Sequence, residues 1–167
     1  MNSMGHSDNG WAREPPAVRL PQPVGLRLEA LKASGLSDHA IIRALQRADA
    51  EPLRRVVPEE PWDWDILLRF AESDWDDCVR AIREGYVYRY LTIRGLKHLL
   101  RYRYRLKEGE DYLDRGTHLE QVKLNPRDLP SLRATLSAHW SVVEPESRKD
   151  GETIAVTIRW AHDVPEP

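Results

Sequence analysis

The segment from residue 86 to residue 107, YVYRYLTIRGLKHLLRYRYRLK, limits most strongly what this chain can fold into. Its first residues are the aromatic and β-branched types that favour a strand, and Thr92 then occupies a helix N-cap position. At about 100° per residue, Leu96, Leu99 and Leu100 lie on one side of the following helix. The segment therefore predicts a strand and then a helix, ending at about residue 106, whose leucines are buried.

The residues before this segment predict several more helices. Gly35 is suited to ending a first helix and Ser37 to capping a second, so residues 24–57 resemble a helix-turn-helix pair. Two further helices follow between residues 61 and 85, and Gly85 ends the second of them. Most of the chain before residue 86 is therefore expected to be helical.

The residues after the segment predict a small antiparallel sheet. THLEQVKL is typical of a strand, and LPSLRATLSAH of a helix that tolerates proline in its first turn. Apolar residues then alternate at positions 154, 156, 158 and 160, as in a half-buried strand. The turn residues KDG before this strand complete a predicted C-terminal β-hairpin.

Composition divides the chain into four regions. Residues 1–23 are polar and rich in proline, which predicts a flexible arm. Residues 24–57 form the helical pair, residues 58–163 form an α+β region that ends in the hairpin, and residues 164–167 are a tail.

The charges are strongly segregated, although the formal net charge is only −2. Residues 59–77 contain eight carboxylates and one arginine, whereas residues 86–107 contain seven Lys/Arg, five Tyr and no carboxylate. On the helix after Thr92 the cations share the side opposite the leucines, while Arg103 falls among the apolar residues. Arg103 therefore suggests that the last turn of this helix lies beyond the core.

Two interpretations of the basic face remain open. It is either the solvated outer face of a core helix, neutralised by the acidic block, or a surface for nucleic acid. Arginine beside tyrosine favours the second, because guanidinium groups bind phosphates while aromatic rings stack on bases. The predicted nucleic-acid contacts are Arg89, Arg94, Lys97, His98, Arg101, Tyr102, Tyr104 and Arg105.

The junction from Gly85 to Leu96 resembles that of winged helix-turn-helix proteins of the MarR and PadR type. Gly85, Tyr86 and Val87 match the end of the helix before the strand, and the sequence YLTIRGL matches the start of the helix after it. The resemblance implies a winged-helix-like fold and a role in DNA binding and transcription regulation. The expected class is therefore α+β, mainly helical and winged-helix-like, with a small antiparallel sheet and a C-terminal β-hairpin.

One feature departs from the winged-helix pattern. The helix expected to enter the major groove begins with Asp74, Asp76 and Asp77, which would repel phosphates. Either the protein binds through its basic helix instead, or it is a protein-interaction module.

The sequence contains none of the motifs that would indicate an enzyme or a metal centre. Phosphate-binding glycine loops, catalytic motifs and Cys/His zinc spacings are absent, so no enzyme, metal or cofactor is predicted. No apolar run is long enough to cross a bilayer, and a cytoplasmic protein with no membrane partner is expected.

These observations predict a small non-enzymatic nucleic-acid-binding or transcription-regulatory protein. The alternative is an adaptor that docks on a protein partner through the acidic segment 59–77, or that pairs with a second copy. The predicted partner contacts of this alternative are Trp62, Trp64 and Trp75.

Overall fold

The computed structural model describes residues 16–146 and 153–162. Its helices are α1 (Gln22–Ala33), α2 (Asp38–Gln46), α3 (Glu51–Val56), α4 (Asp65–Ser73), α5 (Trp75–Glu84), α6 (Ile93–Tyr104) and α7 (Leu129–Thr135). Its strands are β1 (Val18–Leu20), β2 (Tyr86–Tyr88), β3 (Leu113–Asp114), β4 (Leu119–Leu124), β5 (Trp140–Val143) and β6 (Ile154–Trp160). This mixture of helices and sheet confirms the α+β class.

The predicted helix boundaries follow from local hydrogen bonds. The Ser37 hydroxyl accepts from the Ala40 amide at 3.1 Å, and the Thr92 hydroxyl accepts from the Gly95 amide at 3.0 Å. Each bond satisfies an amide that has no partner within its own helix. Gly85 follows α5 with φ of 96°, a left-handed conformation that favours glycine.

The strands form two separate sheets. β1 and β2 pair in parallel, with Val18 opposite Tyr86 and Leu20 opposite Tyr88. The second sheet is antiparallel in the order β3-β4-β6-β5, and β5 and β6 are the predicted C-terminal hairpin. The interpretation of residues 149–151 as its turn, and of residues 164–167 as a tail, lies outside the described residues.

Helix α6 lies at the centre of the hydrophobic core. Leu96, Leu99 and Leu100 are fully buried, as predicted. Helix α1 packs against α6, and residues from 24–57 and from 58–163 contribute to one core. The regions distinguished by composition are therefore joined by a shared interior.

The predicted boundary of the N-terminal arm is wrong for residues 18–23. Val18 and Leu20 are buried in β1, and α1 begins at Gln22. Gly25 explains why α1 can lie so near β2, because a side-chain carbon at this position would overlap the Tyr88 ring. The proline-rich region therefore extends into the folded part of the chain, because proline is tolerated beside a short strand and in the first turn of a helix.

The described part of the chain contains no helix that is both long enough and apolar enough to span a bilayer.

Candidate nucleic-acid interface

The basic face predicted on α6 is divided by the residues that pack against it. At its N-terminal end Arg94 is exposed, but the Lys97 ammonium donates to Asp114 at 2.7 Å and to Glu108 at 3.2 Å. The hydrogen bond with Asp114 is the main reason why the pKa of Lys97 is raised. These two hydrogen bonds from Lys97 therefore hold the segment after α6 against the helix.

The beginning of the acidic block covers the middle of this face. Glu60 accepts a hydrogen bond of 2.5 Å from the Tyr102 hydroxyl and lies 3.5 Å from the Arg101 guanidinium. The Trp62 ring packs edge-on against His98 and Tyr102, with centroids 5.9 and 5.8 Å away. Burial under this cover lowers the pKa of His98. His98 and Tyr102 are therefore packing residues as well as surface residues.

The tryptophans predicted to contact a partner lie in three different environments. Trp64 is 0% exposed and belongs to the core, so its predicted role in partner binding is wrong. Trp62 is half-buried against α6, and the central carbon of the Arg27 guanidinium lies 5.1 Å from the centre of its ring. Trp75, at the start of α5, is also half-buried.

The remaining predicted contacts are distributed around the ends of α6. The Arg89 side chain donates to the Arg19 carbonyl at 3.1 Å, on the side of the small parallel sheet. The Tyr104 hydroxyl lies 3.1 Å from the Ser131 hydroxyl. Arg105, just after α6, donates to the Ala33 carbonyl at 3.1 Å. The eight predicted residues therefore do not form one continuous surface.

Arg103 does not lie beyond the core, contrary to the prediction. Its guanidinium forms two hydrogen bonds to the carboxylate of Glu29, which is only 4% exposed, and a third to the Thr135 hydroxyl at 2.5 Å. The Tyr86 hydroxyl donates to the same carboxylate. Burial acts to lower the pKa of Arg103, but the hydrogen bonds and charge of Glu29 outweigh it and raise the pKa.

The Glu29–Arg103 pair lines a cavity of about 790 Å³, which we call the deep cavity. Its wall is formed by residues from β1, α1, α5, β2, α6 and α7. Two carboxylates, Glu29 and Glu84, line it together with five cations: Lys32, Arg80, Arg83, Arg103 and Arg105. The deep cavity is therefore surrounded by an excess of positive charge.

A second, smaller cavity of about 390 Å³, which we call the shallow cavity for its smaller volume alone, shares Ala33, Tyr102 and Arg105 with the deep one. Arg101 and Lys107 add two cations to its wall, and Glu59 adds one carboxylate. We call the two adjoining cavities the basic groove. Of the predicted residues, Arg101, Tyr102 and Arg105 line this groove.

Sequence reasoning missed Lys32, Arg80 and Arg83. Lys32 and Arg83 occupy the last turns of α1 and α5, where cations are favoured by the helix dipole. For Lys32 and Arg83, this position is the only feature of the sequence that marks them, and cations occupy it in many helices. Their convergence results from the packing of α1, α5 and α6.

Among the described residues, no group of three or more His, Cys, Asp or Glu side chains could hold a metal ion. No protein-family model matches the sequence, and no curated protein or solved structure is significantly similar to the chain. The resemblance of residues 85–96 to winged-helix proteins therefore stays a prediction.

Proposed function

We propose that this protein is a non-enzymatic nucleic-acid-binding regulator that holds a strand in the basic groove. The observation that supports this proposal is the convergence of seven Lys/Arg side chains, against three Glu, around two adjoining cavities. Phosphate contacts by such cations supply most of the affinity of non-specific nucleic-acid binding. A regulatory role of this kind would place the protein in the cytoplasm, where it would encounter nucleic acid.

The shape of the groove favours a single strand over a duplex. Cavities of about 390 and 790 Å³ are of the size that encloses small molecules, so they fit individual nucleotides better than a double helix. Tyr102 lines both cavities and supplies an aromatic ring beside Arg101 and Arg105. Aromatic rings between cations are the usual elements of single-strand binding.

The acidic segment regulates how much of this groove a strand reaches. Glu59 lines the shallow cavity, and Glu60 lies beside Arg101 and Tyr102. A bound strand would compete with Glu60 for the Arg101 guanidinium. The affinity of the parent protein is therefore expected to be moderate.

A second candidate function is the adaptor role. Trp75 and Leu68 line a cavity of about 710 Å³ between α2 and α4, together with Asp65 and Glu72. A partner with a basic and apolar segment would fit this surface. The adaptor would leave the basic groove unoccupied, so one experiment separates the two functions.

The experiment measures the anisotropy of fluorescent 5′-hydroxyl single strands and duplexes over a salt series. The test variant carries Arg101→Gln, Arg105→Gln and Lys107→Gln. The control carries Arg43→Gln, Arg47→Gln and Arg55→Gln, which remove three exposed arginines from α2, its C-cap and α3. If each lost residue contacts a phosphate, the salt slope for single strands falls by about 2 in the test variant.

The control variant is expected to keep the parent slope. Equal slopes in the two variants, or no binding by the parent at low salt, would contradict the proposal. The second outcome would leave the adaptor as the candidate function.

A further inference from the structure

We propose that the deep cavity is a binding site for a phosphomonoester. The phosphate comes either from the terminal phosphate of a nucleic-acid strand or from a small phosphorylated metabolite. The first source rests on the proposed function, whereas the second does not. The proposal is carried by the volume of the cavity, its free hydrogen-bond donors and its charge.

The deep cavity is lined by residues from several elements of the fold and is open to solvent on one side. Tyr86, which is buried, and the Glu29–Arg103 pair lie on one side of it, while Ala17, Ala33 and residues 131–135 complete the wall. Hydroxyl groups of Ser131 and Thr135 lie on the α7 side. A volume of about 790 Å³ is within the range of ordinary ligand sites.

The cations of the cavity keep donors that the protein does not use. Lys32 donates to the Ile82 carbonyl at 2.7 Å and lies 3.6 Å from Asp38, which leaves at least one of its three N–H groups for a ligand. Arg105 uses one of its five N–H groups on the Ala33 carbonyl. Arg83 is exposed and forms no ion pair with any residue in the described part of the chain.

These cations also stabilise the ends of helices, but this role does not account for all of them. Helices α1, α5 and α6 end at the cavity, and the carbonyl ends of helices carry partial negative charge. Lys32 and Arg105 each satisfy one such carbonyl. Arg83 lies in the last turn of α5 but has no carbonyl partner among the described residues, so its N–H groups remain available to a ligand.

The carboxylates of the cavity are already occupied by protein donors. Glu29 receives hydrogen bonds from Arg103 and Tyr86, and Glu84 lies 3.5 Å from the Arg80 guanidinium. These pairs compensate each other, and Asp38 compensates Lys32 at 3.6 Å, so Arg83 and Arg105 supply the remaining positive charge. That charge suits a group with more than one negative charge.

A phosphomonoester suits this arrangement better than an internal phosphodiester. The monoester has a charge of about −1.5 to −2 at pH 7 and three terminal oxygens, whereas a diester has one charge and continues in both directions. A strand whose end lies in the deep cavity would pass Arg105 into the shallow cavity, because the two cavities share that residue.

The experiment compares four ligands by isothermal titration calorimetry. They are a decamer with a 5′-hydroxyl, the same decamer with a 5′-phosphate, the same decamer with a 3′-phosphate, and a nucleoside 5′-monophosphate. We expect a terminal phosphate to tighten binding about tenfold, or the monophosphate to bind by itself. The first result identifies a strand end as the source, and the second a small metabolite.

Arg83→Gln tests the site, because Arg83 is exposed and its replacement leaves the core intact. It is expected to abolish the preference for phosphate, as is Lys32→Gln, whereas Arg55→Gln is the control and is expected to keep it. Circular-dichroism melts establish that each variant is folded. A preference that survives in both Arg83→Gln and Lys32→Gln would overturn the proposal.

Different results would contradict the phosphomonoester site and the proposed nucleic-acid-binding function. Equal affinity for all three decamers, with no binding of the monophosphate, would overturn the phosphomonoester site while leaving nucleic-acid binding intact. Binding of the monophosphate without salt-dependent binding of the 5′-hydroxyl decamer would support the site and contradict the proposed function.

Discussion

His98 shows how a residue of the predicted basic face acquires a second role through its neighbours. Its position in sequence, between Arg94 and Arg101, suggests an exposed cationic surface. In the structure its ring lies against Trp62 at one edge and stacks on Tyr102, with centroids 5.9 Å away in both cases. Burial is the main reason why its pKa is lowered from 6.5, and Arg94, Arg101 and Lys97 lower it further, while Glu60 opposes them.

The lowered pKa of His98 predicts a pH dependence of stability. Because the folded protein resists protonation of His98, the unfolded chain binds the proton more readily at pH values just below 6.5. The contribution of His98 is therefore fully present above pH 6.5 and is lost as the pH falls through the folded pKa. We expect the free energy of unfolding to decrease less between pH 7 and pH 5 in His98→Gln than in the parent.

Urea unfolding at pH 7, 6 and 5 measures this difference. His39→Gln is the matched control, because His39 is exposed on α2 and is expected to leave the parent profile unchanged. Carboxylates such as Asp114 contribute equally in all three proteins and cancel in the comparison. Parallel profiles for the parent and His98→Gln would contradict the interpretation of His98 as a half-buried ring that resists protonation.

At the scale of secondary-structure elements, α1 has the role that differs most from its sequence pattern. In its sequence, Leu26, Ala30 and Leu31 lie on one apolar stripe, yet every residue from 24 to 31 is buried. These include Arg27, whose pKa is lowered by burial while Asp63 acts to raise it, and Glu29. Helix α1 is covered on several sides, and its charged residues require partners on other elements.

The pair between Glu29 and Arg103 joins α1 to α6, and its removal is expected to be costly. Glu29→Gln leaves Arg103, whose side chain is 22% exposed, without a compensating charge. Removing one partner of such a buried pair costs about 3 kcal/mol. The double variant Glu29→Gln/Arg103→Met removes both charges and is expected to recover part of that loss.

Chemical denaturation of the parent, both single variants and the double variant completes a double-mutant cycle. Glu60→Gln is the control, because it removes a carboxylate near α6 that pairs with the more exposed Arg101. A loss below about 1 kcal/mol in Glu29→Gln, the range of surface pairs, would show that the pair does not join the two helices as described.

At the scale of the whole molecule, the short parallel sheet links the start of the described chain to its middle. β1 lies beside β2 in register, and Val18 and Leu20 are buried. Arg89 adds two bonds across this junction, from its amide to the Leu20 carbonyl at 2.9 Å and from its side chain to the Arg19 carbonyl at 3.1 Å. Residues near position 20 are therefore part of the folded unit.

Truncation tests the contribution of β1 directly. A chain that begins at residue 21 lacks the strand and two buried apolar side chains, whereas a chain that begins at residue 16 keeps them. We expect the shorter chain to melt at a lower temperature, by about 2–4 °C for each 1 kcal/mol lost in a domain of this size. Equal melting temperatures would contradict a structural role for β1.

Local features of the sequence were sufficient for most of the elements. Ser37, Thr92 and Gly85 mark helix ends because their effects act within four residues, on backbone groups that helices leave without partners. The alternation at Ile154, Val156 and Ile158 predicts a strand with one buried side for the same local reason. The three-residue strand β1 was missed, because so short a segment shows no periodicity and is stabilised by its pairing with β2.

Local patterns in the sequence were therefore enough to place most helices and strands and to identify the apolar side of α6. The groups that lie against its other side follow from the packing of distant parts of the chain. Glu60 approaches Arg101 from 41 positions away, and Arg103 meets Glu29 across 74 positions. Contacts at such separations depend on how the helices pack, and cations look the same in sequence whether they face solvent, a carboxylate or a cavity. For this reason the segregation of charge was visible in the sequence, whereas the basic groove was visible only in the fold.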